Sequence, residues 1–184
     1  MNVPIKYLNI YTTKIQAEQI NKIILNYIDI NWAKKSCIIT DATACIGGNS
    51  RLFCKDFHKV ICVEKENDIY NILKLNMKEF LNCQCYNVSY NYVKFLIKQD
   101  IIFIDPPWGG KEYKNKKNVK LYLDNIDIQT IINDLYNFTE LIVLKVPINF
   151  DINFLNNLFW YHRVHNITKY SKTIYNIIVF YKRI

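Results

Sequence analysis

Short apolar strands alternate with helix-forming stretches along most of this chain, and this alternation constrains the fold more than any other feature of the sequence. From Ser36 onward, helical segments separate apolar runs such as CIIT, VICVE, IIFID and ELIVLKV. Such a pattern is typical of a mainly parallel sheet with helices on both faces. We therefore predict an α/β fold over residues 35–184, preceded by a short helical extension over residues 1–34.

The individual elements can be placed along the chain. An opening helix is expected from about Thr13, where Thr12 or Thr13 can cap the first turn. Seven strands are expected, at CIIT, VICVE, CQCYNV, IIFID and ELIVLKV and near residues 160–168 and 173–182. Further helices are expected near residues 49–57, 66–80, 127–137 and 151–158, and a short segment lies near 89–98.

Length and composition exclude several classes of protein. A chain of 184 residues is most simply one domain. It contains no run of about 18 uninterrupted apolar residues, so we expect no membrane association. The N-terminal stretch MNVPIKYLNIYTTK shows no secretory signal. These features predict an intracellular protein.

The six cysteines fit reduced core thiols better than disulfides, because most of them lie inside apolar, strand-like runs. Cys83 and Cys85 are the one close pair, and alternation along a strand would point both side chains to one face. No second Cys or His cluster occurs at zinc spacing. The sequence therefore predicts no metal site.

A glycine pair follows the first predicted strand. In DATACIGGNS, Gly47 and Gly48 come before a helix that Asn49 or Ser50 can cap. Glycine there allows close approach to a ligand, and the loop amides can bind polar groups. The loop lacks the Gly-Lys-Ser/Thr of a phosphate loop and the full G-x-G-x-x-G pattern. By itself, a Gly-Gly after a strand is more often a turn than a cofactor loop.

An acid ends the second predicted strand and favours a cofactor loop over a simple turn at the glycine pair. Glu64 closes VICVE, where a carboxylate can accept hydrogen bonds from both ribose hydroxyls of a nucleoside. The plainer interpretation is a helix-capping acid. Together with the glycine loop, Glu64 favours a nucleoside-containing cofactor, and Asn87 at the end of the third strand could contact an adenine edge.

The other two glycines follow the strand IIFID in the stretch IDPPWGGKEY. Asp105, Pro106 and Pro107 end the strand, because proline cannot donate to a sheet ladder. The lysine-rich run KEYKNKKNVK begins directly after Gly110, and the whole chain carries a net charge of +8. This distribution suggests a polyanionic partner, although a solvated basic loop is the alternative.

In their order and spacing, DATACIGGNS, VICVEKE and IDPPWGGKEY resemble the cofactor loop, ribose-binding acid and catalytic loop of the RNA cap guanine-N2 methyltransferases, the trimethylguanosine synthase family. The resemblance covers most of the chain from about Tyr11. It implies a Rossmann-like class I methyltransferase fold with S-adenosylmethionine (SAM) as cofactor, acting as a monomer. It also implies a substrate, the exocyclic N2 amine of a 7-methylguanosine cap on RNA or on a cap nucleotide, and dimethyl- or trimethylguanosine products.

The resemblance assigns roles to individual positions. Asp105, Pro106 and Trp108 would be catalytic. The cofactor would contact Asp41, Ala42, Cys45, Gly47, Gly48, Asn49, Glu64, Lys65, Asn87 and Val88. The capped substrate would contact Trp108, Gly109, Lys111, Tyr113, Lys114 and Tyr11.

The chemistry explains why these residue types are needed. An exocyclic purine amine is a poor nucleophile, because its lone pair is delocalised into the ring. Acceptors on the Asp105 side chain and the Pro106 carbonyl would draw its two hydrogens and turn the lone pair toward the methyl donor. The N7-methylated base is cationic, so stacking on Trp108 would add about 0.5–2 kcal/mol of cation–π attraction.

Three departures from the family pattern keep other functions open. Asp105 stands where many relatives carry serine and is shared with adenine-N6 methylases, so adenine-N6 or rRNA/tRNA guanine-N2 methylation is an alternative. Cys45 replaces a usual glycine and Ile148 a usual arginine. These two changes motivate a second alternative, a degenerate methyltransferase that serves as an RNA- or cap-binding subunit.

Overall fold

A computed structural model of the chain describes residues 1, 3–7, 11–155 and 158–182. Nine strands are present in this part of the chain: β1 (Ile38–Asp41), β2 (Lys59–Val63), β3 (Cys83–Tyr86), β4 (Ile101–Ile104), β5 (Tyr122–Leu123), β6 (Ile126–Asp127), β7 (Leu141–Val146), β8 (Tyr161–Lys169) and β9 (Lys172–Tyr181). Seven of them form one sheet in the order β3-β2-β1-β4-β7-β9-β8, and β5 and β6 form a separate hairpin.

The large sheet is mainly parallel. Strands β3, β2, β1, β4 and β7 run in one direction, and β9 is antiparallel to both of its neighbours. This confirms the predicted seven-stranded α/β fold. Because parallel neighbours need a crossover connection, the intervening helices must lie on the faces of the sheet.

Alternation along the strands produces two core layers. In β4, Ile101 and Phe103 belong to one buried cluster, whereas Ile102 and Ile104 belong to the other. Successive side chains of a strand point to opposite faces, so a strand that is apolar throughout must be covered on both sides. The covering helices are α1 (Lys14–Leu25), α2 (Ile30–Lys35), α3 (Ser50–Asp56), α4 (Asn67–Met77), α5 (Tyr90–Val93) and α6 (Ile128–Asp134).

Several element boundaries differ from the sequence prediction. The opening helix stops at Leu25, and a second helix begins after Asp29, whose carboxylate accepts hydrogen bonds from two backbone N–H groups of that helix. This capping acid was not recognised in the sequence. The predicted helix over residues 151–158 is a 3₁₀ turn at Ile152–Leu155, and residues 156 and 157 lie outside the described residues.

The lysine-rich stretch also contains structure that was not predicted. A 3₁₀ turn spans Gly110–Asn115, and the hairpin of β5 and β6 follows it. Asp124 and Asn125 make the hairpin turn with positive φ angles of 51° and 64°, the backbone of a type I′ turn. No helix in the described parts of the chain is long and apolar enough to cross a membrane.

The N-terminal helices pack on the same core as the sheet. Ala33 of α2 and Ile20 and Ile24 of α1 are fully buried in the layer that also contains Phe53 and Phe103. The predicted domain boundary between residues 34 and 35 falls in the last turn of α2, and it stays a prediction.

The segment before α1 touches the glycine loop directly. A Cβ atom on Gly48 would lie 2.5 Å from the Thr12 carbonyl oxygen and 3.2 Å from the Thr12 nitrogen. Real Cβ atoms do not approach backbone this closely, so only glycine fits while Thr12 keeps its place. The sequence suggested that Gly48 leaves room for a ligand, but what approaches Gly48 here is the backbone of Thr12.

Replacing Gly48 with alanine tests this contact. The methyl group should push the Thr12 segment away and lower the free energy of unfolding by about 1–3 kcal/mol, as overpacking does. Native-state hydrogen exchange of the amides near Thr12 should become faster. Gly110→Ala is the control for the local effect: its φ of 69° makes alanine costly there too, but its Cβ would meet nothing within 4 Å, so the Thr12 segment should not be disturbed. Equal protection of the Thr12 segment in both variants would show that the contact does not hold the segment.

Candidate active site

Polar side chains gather at the carboxyl edge of the sheet, where ligands of open α/β folds bind. Asp41 is the last residue of β1, Glu64 directly follows β2, and Asn87 directly follows β3. Asp105 directly follows β4, and Lys145 is the penultimate residue of β7. Residues predicted from separate motifs thus lie along one edge of the sheet.

The loop after β1 is fixed to both neighbouring strands. The N–H of Ala42 donates to the carbonyl of Phe103 in β4 at 2.9 Å, and the N–H of Ala44 donates to the carbonyl of Val63 in β2 at 2.9 Å. Backbone bonds of this kind do not depend on side-chain identity. The loop therefore has a defined shape before any ligand binds.

Cys45 occupies a strained position in this loop. Its backbone is left-handed, with φ of 49°, and this region costs a residue with a Cβ about 1–2 kcal/mol. Its N–H donates to Glu64 Oε2 at 3.0 Å. The usual glycine of the family is thus explained by backbone conformation. Burial raises the pKa of the Cys45 thiol to about 12, so the thiol is neutral.

Glu64 connects the loop after β1 to the segment that follows β2. Its Oε2 accepts from Cys45 N–H, and its Oε1 accepts from Glu66 N–H at 2.9 Å. Burial raises the pKa of this carboxyl, and the backbone N–H donors oppose that rise. Each carboxylate oxygen has two acceptor sites. Glu64 therefore keeps acceptor capacity for the hydroxyls of a ribose.

Lys65 and Asn87 already have protein partners. The Lys65 ammonium lies 2.7 Å from Asp124 Oδ1 in the hairpin turn, and Asn87 Nδ2 donates to the carbonyls of Glu64 and Lys65 at 2.9 and 3.0 Å. These bonds tie the end of β3 to the end of β2. Val88, the next predicted residue, is half-buried against the second core layer.

Asp41 is a buried acid with an unused oxygen. Ser50 Oγ donates to Asp41 Oδ2 at 2.6 Å, whereas Oδ1 is buried and has no hydrogen-bond partner among the described residues. Burial raises the pKa of Asp41 to about 7, despite the Ser50 bond. The Oδ1 of Asn49 is buried without a partner in the same part of the structure. Buried orphan acceptors are rare in proteins and point to a ligand with donor groups.

Asp105 forms a buried ion pair that the sequence did not predict. The Lys145 ammonium donates to Asp105 Oδ2 at 2.7 Å and to Thr12 Oγ1 at 3.2 Å. Asn49 Nδ2 also donates to Thr12 Oγ1, at 3.1 Å. The Asp105 N–H donates to Thr43 Oγ1 at 2.7 Å. These bonds connect the catalytic loop, the cofactor loop, β7 and the segment before α1.

Burial and the charge of Lys145 have opposite effects on the pKa of Asp105. Burial raises the pKa of its carboxyl, and the adjacent Lys145 ammonium lowers it. A carboxylate must stay ionised to act as an acceptor on both oxygens. Lys145 therefore opposes the effect of burial and favours the ionised form of Asp105.

Trp108 lies between two tyrosines. Its ring meets Tyr113 edge-on with centroids 5.2 Å apart and Tyr175 with centroids 6.2 Å apart. The Lys145 ammonium lies 5.6 Å from the Trp108 ring centroid. Asn149 Nδ2 donates to the carbonyl of Tyr113 at 2.8 Å, which anchors the loop. Trp108 is half-buried, so part of its ring is accessible.

The remaining predicted substrate residues line the outside of this loop. Gly109 has a φ of 91°, and a Cβ there would meet nothing within 4 Å, so conformation requires glycine and the space beside it is open. Lys111 and Lys114 are exposed in the 3₁₀ turn, and Tyr11 is half-buried beside Thr12. Pro106 is buried and keeps the backbone after Asp105 rigid.

Sequence reasoning missed four residues of this site: Thr12, Thr43, Lys145 and Tyr175. One signal was available for Lys145, which is the single charge within the buried run LIVLKV. A charge in a fully buried strand needs a partner. Nothing in the local sequence marks Tyr175, which β9 brings next to Trp108.

Two cavities in the described part of the chain lie away from the acids of this edge. An open cavity of about 480 Å³ lies around Asp100 and Glu140 at the opposite edge of the sheet. A second, of about 310 Å³, lies behind the glycine loop and is lined in part by Thr12, Gly48 and Arg51. Neither holds the acids of the carboxyl edge, so the chemistry of the side chains is the better guide.

Comparison with known families decides how these residues are interpreted. The model of a family described as RNA cap guanine-N2 methyltransferase matches residues 36–180. The chain belongs to this family. It is therefore a methyltransferase with a Rossmann-like fold and S-adenosylmethionine as its cofactor.

The chain is also similar to individual relatives and solved structures. An uncharacterised protein of Acanthamoeba polyphaga mimivirus is 33% identical over 176 residues, covering 82% of this chain and 67% of that protein. A candidate methyltransferase from Porphyromonas gingivalis W83 has a TM-score of 0.73 at 13% identity, covering 96% of this chain and 42% of that one. A T. thermophilus 16S rRNA N2 methyltransferase, solved with AdoMet and guanosine, has a TM-score of 0.69 at 14% identity, covering 91% of this chain and 43% of that one.

This family member spans less than half the length of those two solved structures, and at such low identity they show its fold alone.

The residues at the carboxyl edge fit the donor and acceptor groups of S-adenosylmethionine. Glu64 offers acceptors for ribose hydroxyls. Asp41 Oδ1 and Asn49 Oδ1 are buried acceptors without partners among the described residues, and the ammonium of the cofactor's amino-acid part is a matching donor. When bound, the cofactor supplies an activated methyl group on a sulfonium centre.

Asp41 is expected to make the protein less stable as the pH rises toward neutral. Its folded-state pKa is about 7, above the value near 4 of an unfolded chain, so the unfolded chain loses the proton first. Stability present near pH 4 is therefore lost between about pH 4 and pH 7. Urea unfolding at about pH 5 and about pH 8 should show a smaller loss in Asp41→Asn than in the wild type, because an amide does not ionise.

Asp68→Asn is the control for this measurement. Asp68 is an exposed acid in the first turn of α4, so its replacement should leave the pH dependence as in the wild type. If Asp41→Asn also keeps the wild-type dependence, Asp41 does not titrate near neutral pH in the folded protein.

Proposed function

We propose that this methyltransferase transfers methyl groups to the exocyclic N2 amine of a 7-methylguanosine RNA cap, giving dimethyl- or trimethylguanosine caps. The observation that carries the proposal is the position of Asp105 and Trp108 at the end of β4. Asp105 is bonded through its N–H to Thr43 of the cofactor loop at 2.7 Å. An amine held by Asp105 would therefore lie beside the cofactor loop, and the base that carries it beside Trp108.

Asp105 and Pro106 would prepare the amine. One carboxylate oxygen, Oδ2, is held by Lys145, which leaves Oδ1 to accept from an N–H of the substrate amine. The Pro106 carbonyl is a second acceptor, and proline has no N–H to compete for it. Accepting both amine hydrogens turns the nitrogen lone pair toward the methyl donor. A carboxyl whose pKa is raised by burial can also take the proton that the amine loses.

Trp108 would bind the methylated base by stacking. A cationic base gains about 0.5–2 kcal/mol on an aromatic face beyond its dispersion contacts. The Lys145 ammonium lies 5.6 Å from the same ring and would oppose this gain if it were unpaired. Its pairing with Asp105 at 2.7 Å largely cancels that charge. The edge-on contact of Tyr113 leaves the Trp108 ring oriented while part of it stays accessible.

The lysine-rich turn would meet the phosphates of the cap or of the RNA. Lys111 and Lys114 are exposed in the 3₁₀ turn that follows Gly109 and Gly110. Asn149 anchors this turn through the carbonyls of Tyr113 and Lys116. Lysines next to a base-stacking residue are placed to bind the phosphates of the same nucleotide, and the net charge of +8 favours a polyanion.

Asp105 itself supports a second candidate, methylation of adenine N6 or of guanine N2 within rRNA or tRNA. An aspartate accepts from an adenine amine as well as from a guanine amine. The buried pair with Lys145 is not specific for either base. The role of Trp108 separates the candidates, because only the cap guanine is cationic.

The binding-subunit alternative is weakened by the state of the cofactor site. Cys45 adopts the left-handed backbone, so the loop keeps the shape that glycine would give it. Glu64 still receives the Cys45 N–H. The expected outcome is therefore that the protein binds S-adenosylmethionine and turns it over.

Transfer of labelled methyl groups to 7-methyl-GTP, GTP and an adenine-bearing oligonucleotide tests the proposal. The wild type should prefer 7-methyl-GTP to GTP. Trp108→Leu should reduce that preference by about 2- to 30-fold, the equivalent of the lost cation–π attraction. Trp32→Leu, which changes a half-buried tryptophan in α2, should leave the preference unchanged.

Two results would contradict the cap assignment. Transfer to GTP at the same rate as to 7-methyl-GTP would remove the role of Trp108, and transfer to the oligonucleotide would favour the adenine alternative. Calorimetry tests the binding-subunit alternative. RNA binding without binding of S-adenosylmethionine would identify a binding subunit.

A further inference from the structure

Three cysteine side chains meet on the face of the sheet covered by α3 and α4. The sulfur atoms of Cys62, Cys83 and Cys85 all lie within 4.8 Å of one another. The Cys62 and Cys83 sulfurs are 3.5 Å apart, and those of Cys83 and Cys85 are 3.9 Å apart. The sequence pointed only to Cys83 and Cys85 as a close pair, and the fold adds a third thiol.

The register of the sheet explains this grouping. Cys62 of β2 is paired directly with Cys85 of β3, and Val60 is paired with Cys83. Residues two apart on a strand share a face, so both β3 thiols lie on the side to which Cys62 points. All three belong to, or pack against, the same core layer.

A fourth thiol approaches from the helix above. Cys54 belongs to α3, is 9% exposed and is buried in the same core layer, although its sulfur lies outside the group of three that are all within 4.8 Å of one another. Asn82 Nδ2 donates to the Cys54 carbonyl at 3.0 Å, which ties the end of α3 to the start of β3. The cluster thus draws ligands from one helix and two strands.

We propose that Cys62, Cys83 and Cys85, with Cys54 as the fourth ligand, bind one Zn²⁺ ion. Sulfur atoms about 2.3 Å from a tetrahedral Zn²⁺ lie about 3.8 Å from one another. The two measured separations, 3.5 and 3.9 Å, bracket that value. A disulfide needs sulfurs about 2.05 Å apart. The spacing of Cys62, Cys83 and Cys85 therefore fits thiolates around a metal better than a bonded pair.

Binding would exchange protons for metal at this site. Each thiol gives up one proton as its sulfur coordinates Zn²⁺, since the thiolate is the ligand. Four thiolates around Zn²⁺ carry a net charge of −2, which a buried site must balance. Arg51 of α3 is a cation on the same helix as Cys54, and its guanidinium is already paired with Glu79 at 2.7 Å, so solvent at the half-buried Cys83 and Cys85 would have to share in balancing that charge.

The position of the cluster gives the metal a structural role. Helix α3 begins directly after the glycine loop, and β2 ends directly before Glu64. A metal that cross-links α3, β2 and β3 would hold the cofactor half of the sheet together. The thiols lie in α3, β2 and β3, whereas Asp105 follows β4. The proposal therefore does not depend on which substrate is methylated.

Metal content of the untagged, full-length protein tests this site. Protein prepared in the presence of a reductant and without chelator should contain about one Zn²⁺ per chain by elemental analysis. Replacement by Co²⁺ should give the visible absorption bands of a tetrahedral thiolate site. Cys83→Ser should weaken Zn²⁺ binding by about 100-fold or more, since even loss of a supporting partner costs 10–100-fold.

Cys37→Ser is the matched control, because Cys37 is fully buried in the same layer and lies outside the cluster. It should bind Zn²⁺ as the wild type does. The proposal is overturned if the folded wild type binds no stoichiometric Zn²⁺ and shows no cobalt spectrum. It is also overturned if thiol mapping of protein isolated without reductant finds a Cys62–Cys83 disulfide that reduction does not convert to a metal-binding form. Both readouts use the wild type, so a variant that fails to fold does not decide the result.

Discussion

The buried contact between Lys145 and Asp105 holds the active edge of this protein together. It connects β7 to the loop after β4, and through Thr12 it reaches Asn49 in the cofactor loop and the segment before α1. A lysine that is 7% exposed is costly to bury without a partner, and breaking a buried pair typically costs about 3–5 kcal/mol. The position of Asp105, the proposed acceptor, is thus tied to the stability of the sheet.

The same contact sets the chemistry of the site. Burial raises the pKa of Asp105 and the adjacent Lys145 ammonium lowers it, so the ion pair opposes protonation of the proposed amine acceptor. Thr43 then fixes the Asp105 backbone against the cofactor loop, so the acceptor and the methyl donor have a common reference point. Trp108 lies beside the Lys145–Asp105 ion pair, between Tyr113 and Tyr175. The proposed acceptor and the proposed stacking residue therefore share one set of contacts, so a change in one is expected to affect the other.

The sequence predicted the sheet well because strand alternation is a local signal, and IIFID or ELIVLKV can be read without knowing their neighbours. It predicted Glu64, Asp105 and Trp108 because each ends or follows a strand. It did not predict the partner of Asp105 or the approach of Cys62 to Cys83, because these contacts join residues distant along the chain. The close approach of Thr12 to Gly48 was not predicted for the same reason, because Thr12 lies thirty-six positions earlier in the sequence.

The most direct measurement is the pKa of Asp105 with and without its partner. Carbon-13 NMR titration of aspartate carboxyls, with Asp105 assigned through Asp105→Asn, can be made on the wild type and on Lys145→Met, with Lys145→Gln as a second variant that keeps a hydrogen-bond donor. If the ammonium keeps the buried carboxylate ionised, the Asp105 pKa rises in both variants. An Asp105 pKa that stays at the wild-type value in both would contradict the account.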